Sequence, residues 1–65
     1  MSELSLKALE ILQTRDTIIE FHNSDLVSCG FSEVTTKFII NELEENGYIF
    51  ITRTFINGTV MFELM

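Results

Sequence analysis

The sequence predicts a small α+β fold in the order helix, short strand, helix, helix and β-hairpin. Residues 32–47 combine a serine suited to cap a helix, apolar residues at helical spacing and the stop signal Asn46-Gly47. The last third of the chain is rich in β-branched and aromatic residues on both sides of Asn57-Gly58, the preferred pair for a tight hairpin turn. With 65 residues, we expect one domain over 1–65.

The first two elements are predicted from apolar spacing and β-branching. Residues 2–14 are expected to form a helix capped by Ser2 or Ser5. The stripe that would face the core consists of Leu4, Ala8, Leu9, Ile11 and Leu12. The β-branched segment 17–21 is predicted as a short strand that ends at His22.

Two helices follow with a short connection between them. The second is expected over 25–29, after the cap-type pair Asn23-Ser24, and Gly30 ends it. The third begins after Ser32 and ends at Asn46-Gly47. At about 100° per residue, its core side consists of Thr36, Ile39, Ile40 and Leu43. A short connection between two helices is what a helix-turn-helix unit requires.

The hairpin is expected from 49–56 and 59–65, joined by a two-residue type I′ turn. That turn would place Ile51 opposite Leu64 and Arg53 opposite Phe62. The core face would then consist of Ile49, Ile51, Arg53, Phe55, Val60, Phe62 and Leu64. The other face is still half apolar, with Phe50, Met61 and Met65, which is unusual for a face that meets only water.

This order, with Glu-Glu-Asn-Gly-Tyr-Ile leading from the third helix into a hairpin, resembles the winged-helix domain family along essentially the whole chain. In that family the third helix usually enters the DNA major groove, and the hairpin, or wing, contacts the backbone or minor groove. Many relatives bind proteins with the same surfaces. The resemblance implies a regulator of transcription or of other nucleic-acid machinery, similar to small viral or mobile-element regulators.

Charge favours a protein partner over DNA. The chain has ten acidic and four basic residues and a formal net charge of −6, whereas binding to DNA depends on lysine and arginine. The predicted partner-binding residues lie on the side of the third helix away from its core side: Val34, Phe38, Asn41, Glu42 and Glu45. If Val34 and Phe38 are exposed, this apolar centre rimmed by acids favours a protein partner or a homodimer. If they are buried, the remaining helix surface is more polar and favours DNA.

The alternative is a DNA-binding regulator that works as a dimer. Thr35, Thr36, Lys37 and Asn41 would lie near the groove, with Arg53 on the wing as a phosphate contact. A simpler interpretation makes Arg53 one half of a stacked cation–aromatic pair with Phe62.

No catalytic, cofactor or metal site is expected, and we do not expect an enzyme. His22 and Cys29 are the only soft ligands, whereas a zinc site needs three or four. Cys29 has no cationic neighbour close in sequence to activate its thiol. The acids Glu42, Glu44 and Glu45 are typical of a solvated helix face. Without a signal pattern or an apolar run long enough to span a membrane, a soluble cytoplasmic protein is expected.

Overall fold

Three helices pack against one three-stranded antiparallel sheet. The computed structural model describes residues 1–65. In chain order the elements are α1 Glu3–Gln13, β1 Phe21–His22, α2 Asn23–Val27, α3 Glu33–Glu45, β2 Ile49–Thr54 and β3 Val60–Leu64. The strand order is β1-β3-β2, so the second strand of the hairpin lies in the middle of the sheet. The α+β class and the order of elements expected from the sequence are confirmed.

Side-chain caps explain where α1 and α3 begin. Ser2 Oγ accepts a hydrogen bond from Ser5 N–H at 3.3 Å, and Ser32 Oγ accepts one from Thr35 N–H at 3.1 Å. Gly47 follows the end of α3 with a φ of +78°, a left-handed conformation that glycine adopts without strain. The predicted cap and stop of the third helix are confirmed.

The segment expected to form the first strand is mostly irregular. Only Phe21–His22 pairs with β3, and 17–20 lies in turns and bends, because β-branching favours a strand only where a partner strand is within reach. The second helix begins at Asn23, earlier than expected. It starts there because the Asp25 carboxylate accepts a hydrogen bond from His22 N–H at 2.7 Å and so caps the helix.

The hairpin loop is wider than the predicted type I′ turn. That turn needs positive φ at both central residues, and no residue other than glycine has positive φ. Instead, Gly58 has a φ of +88° and donates its N–H to Phe55 O at 3.0 Å. Phe55 N–H in turn donates to Thr59 O at 2.8 Å. These bonds describe a three-residue loop with a glycine bulge.

The wider loop changes the strand register, because loop length sets which residues face each other. Arg53 lies opposite Met61 rather than Phe62. An irregularity between Ile51 and Arg53 then shifts the pairing once more and places Ile51 opposite Phe62 rather than Leu64. The predicted register is therefore wrong, although Phe62 still faces the core.

The core lies between α1, α3 and the inner face of the sheet. Its buried apolar residues are Ala8, Leu9, Leu12, Phe21, Leu26, Ile39, Ile40, Leu43, Ile49, Val60 and Phe62. The rings of Phe21 and Phe62 stack with their centroids 5.7 Å apart. Leu4, expected in the core stripe of α1, is exposed, and its neighbour Ser5 is fully buried instead. The expected core position of Leu4 is therefore wrong.

Thr36 introduces an unpaired polar atom into this core. The residue is fully buried, and its Oγ1 has no hydrogen-bond partner. Leaving a buried hydroxyl unpaired costs roughly 1–3 kcal/mol. We expect Thr36→Val, which keeps the shape and removes the hydroxyl, to raise the free energy of unfolding by about 1 kcal/mol in urea unfolding followed by circular dichroism. A loss of stability would show that the hydroxyl is paired in solution.

Candidate functional site

One face of α3 points to solvent while the opposite face is held in the core. The exposed residues, called here the outer face of α3, are Val34, Phe38, Asn41 and Glu45. The side chain of Val34 is 80% exposed and that of Phe38 is 48% exposed. Because residues four apart on a helix are neighbours, these two side chains form one apolar centre on the surface.

Packing of the other elements explains why this face stays uncovered. α3 contacts α1, α2 and β2. The buried residues of α3 are Thr36, Ile39, Ile40 and Leu43, the set expected from the helical spacing. Val34 and Phe38 are therefore not buried against α1 or β1, which was the other outcome considered for them.

Glu42 belongs to an internal contact between α3 and α1. Its Oε1 accepts hydrogen bonds from Ser2 N–H and from Ser2 Oγ, both at 2.8 Å. Hydrogen bonds from the Ser5 side chain, and then from the backbone and side chain of Ser2, lower the pKa of Glu42. The carboxylate of Glu42 is already engaged at the start of α1, and its role in partner binding stays a prediction.

This contact makes the stability of the fold depend on pH. A carboxylate whose pKa is lower in the folded state stabilises the fold above its unfolded pKa, and this stabilisation is lost as the pH falls through the folded pKa. We expect the wild type to lose stability relative to Glu42→Gln as the pH falls below about 4.3, the usual pKa of glutamate. Urea unfolding at a series of pH values measures the difference. Glu10→Gln, at an exposed position of α1, should keep the wild-type pH dependence.

A polar cleft of about 370 Å³ lies beside the outer face, between α2, α3 and the hairpin loop. Glu33 and Lys37 line it from α3, and Asn57 and Thr59 line it from the hairpin. The Lys37 Nζ atom lies 3.6 Å from the point where a Cβ on Gly58 would be. The end of the lysine side chain therefore lies next to the hairpin loop, where α3 and the hairpin are side by side.

Of the other residues expected near DNA, Arg53 and Thr35 are engaged in other contacts and Thr36 is buried. The Arg53 guanidinium lies 5.3 Å from the ring centre of Phe55, so the expected cation–aromatic pair exists with Phe55 rather than Phe62. Thr35 is partly buried and its Oγ1 accepts a hydrogen bond at the cap of α3. Thr36 is fully buried, so its expected place near the groove is wrong.

In the folded chain, Cys29 has a cationic neighbour that is not close to it in the sequence. Arg15 Nη2 donates to Cys29 Sγ at 3.1 Å, and the thiol donates to Asp25 O, also at 3.1 Å. The contact joins residues 14 positions apart, one after the end of α1 and one after the end of α2, so no local signal in the sequence indicates it. Cys29 is thus part of a polar contact.

Comparison with known proteins found no matching family model, no matching curated protein and no matching solved structure. No three His, Cys, Asp or Glu side chains are grouped so that they could hold a metal ion. None of the helices combines the length and apolarity needed to cross a membrane. Inference about function therefore depends on the surfaces of this chain.

Proposed function

We propose that this chain is a small winged-helix regulatory module that acts through protein–protein contacts made by the outer face of α3. The observation that carries the proposal is the exposure of Val34 and Phe38 at the centre of that face. Apolar surface is stabilised when it leaves water, and apolar groups surrounded by polar ones are typical of the core of a protein interface.

The resemblance to winged-helix domains supports this choice of surface. α2 and α3, joined through Gly30, would be the helix-turn-helix unit, and the hairpin of β2 and β3 would be the wing. In that family the third helix usually enters the DNA major groove, and many relatives bind proteins with the same surfaces. The partner that we propose is accordingly a component of the transcription or nucleic-acid machinery.

A dimeric DNA-binding regulator is the second candidate, supported by the contact between Lys37 and the hairpin loop. That contact brings α3 and the wing together, as DNA binding by a winged helix would need. Glu33 lines the same cleft, however, and would repel phosphate. The burial of Thr36 also removes one of the four residues expected near the groove.

Light scattering with random duplex DNA tests the proposal against this alternative. We expect the protein to keep its own mass when DNA is added at about 50 mM and about 200 mM salt, because its four basic residues neutralise few phosphates. A complex that dissociates as salt rises would overturn the proposal if the double variant Lys37→Glu, Arg53→Glu abolished it. Lys7→Glu, on the exposed side of α1, is the charge control and should leave such a complex intact.

A further inference from the structure

We infer that the outer face of α3 binds a basic segment of its partner, in which apolar side chains are flanked by lysine or arginine. The inference deepens the proposed function and rests on it. Val34 and Phe38 supply the apolar contact, and their exposed fractions of 80% and 48% leave both open to a partner. The charges near these two residues indicate which groups a partner would place around them.

Acidic side chains lie at both ends of α3. Glu33, in the first turn, lines the same cleft as Lys37, whereas Glu44 and Glu45 lie in the last turn, which has no basic residue. All three acids are exposed. The C-terminal end of a helix is also the negative end of its dipole, so Glu44 and Glu45 add to negative potential already present there. A cationic partner would relieve this unfavourable arrangement.

Lys37, the one basic residue of α3, does not neutralise the acids of the last turn. Lys37 leans on the hairpin loop near Gly58, on the cleft side of the helix. The carboxylate of Glu42 is engaged with Ser2 at the start of α1. The outer face therefore combines an apolar centre with acids at its C-terminal end, and nothing positive lies among its four residues.

Charge also decides between the candidate occupants of the face. A second copy of the chain would bring the same acids together, since each chain carries a net charge of −6. Like charges placed face to face across an interface are costly. Nucleic acid presents negative phosphates and is disfavoured for the same reason. A basic segment with apolar residues matches both the centre and the acidic end of the face.

The length of α3 limits the size of that segment. Its 13 residues span about 20 Å at a helical rise of 1.5 Å per residue. A partner helix of about four turns, or about six residues of extended chain at 3.3 Å per residue, would cover this length. A short linear segment is therefore sufficient to test the inference.

Selection from a phage-displayed library of random peptides is the first experiment. The full chain is the bait, and peptides that the Phe38→Ser variant also retains are discarded. We expect the enriched peptides to carry a net positive charge, with apolar residues placed between lysines or arginines. Enrichment of neutral or acidic peptides that depend on Phe38 would overturn the inference and leave the protein-contact function standing.

An enriched peptide is then synthesised and titrated into two charge-matched variants by calorimetry. Glu45→Lys, on the outer face, should weaken binding about fivefold, because an attraction at the acidic end becomes a repulsion. Glu10→Lys changes the net charge equally on an exposed part of α1 and should change binding less than about twofold, because distant charges are screened. Equal effects of the two variants would overturn the inference.

Two further outcomes separate the inference from the proposed function. Self-association of the wild type that is lost in Phe38→Ser would assign the face to a second copy, so the inference would fail while protein contact stood. If no peptide were enriched in a Phe38-dependent way and no self-association occurred, the proposed function would fail together with the inference.

Discussion

Replacing Phe62 by alanine should lower the free energy of unfolding by about 3–5 kcal/mol. Phe62 is fully buried on the central strand β3, and its ring stacks on Phe21. Truncating a buried phenylalanine to alanine costs about 3–5 kcal/mol. A domain of 65 residues has about 3–10 kcal/mol of total stability, at roughly 0.05–0.15 kcal/mol per residue. The substitution therefore removes much or all of the stability of the fold.

Urea unfolding followed by circular dichroism measures this loss, with Phe50→Ala as the matched control. Phe50 is 57% exposed on the neighbouring strand β2, so its truncation should cost less than about 1 kcal/mol. Similar unfolding midpoints for the two variants would contradict the position of Phe62 at the centre of the core.

The third helix was predictable because all of its signals are local. Ser32 caps it, Gly47 ends it, and the apolar positions between them follow helical spacing. Each signal acts within a few residues and agrees with the others, which is the condition under which sequence specifies structure strongly. The outward position of Val34 and Phe38 follows from the same spacing and from the position of the buried side.

The hairpin register and the first strand were not predictable from local signals. Asn57-Gly58 fits both a two-residue turn and a three-residue loop with a glycine bulge, and the choice depends on how the strands pack. In the observed register of β2 and β3, Phe62 packs on Phe21, which lies far away in the sequence. The length of β1 depends likewise on which part of β3 is within reach.

The limits of the outer face depended on contacts between distant elements. Glu42 lies at the edge of the outward side of α3, and only the position of Ser2 against it shows that its carboxylate is engaged. The contact of Arg15 with Cys29 likewise joins residues that are distant in the sequence, one after α1 and one after α2. Helical spacing predicts which residues lie at the centre of an exposed helix face. Which residues at the edges of that face remain free depends on tertiary packing.

Changing Phe38 to serine should remove partner binding while leaving the fold nearly intact. The ring is 48% exposed, so the loss of stability should be about 1 kcal/mol or less, part of it from the lower helix propensity of serine. An aromatic residue at the centre of an interface contributes about 2 kcal/mol or more to binding, which corresponds to a loss of affinity of about 30-fold. Capture of partners from the source cells, with urea unfolding in parallel, measures both quantities.

Phe50→Ser is the matched control for this experiment, since it removes another exposed phenylalanine from a different surface. We expect Phe50→Ser to retain the proteins that the wild type captures and Phe38→Ser to lose them. The reverse result would move the interface to the outer face of the sheet, where Phe50 lies 57% exposed. A loss of several kcal/mol in Phe38→Ser would instead show that its ring belongs to the core. Because each result assigns Phe38 to a different role, the pair of variants decides whether α3 recognises a protein.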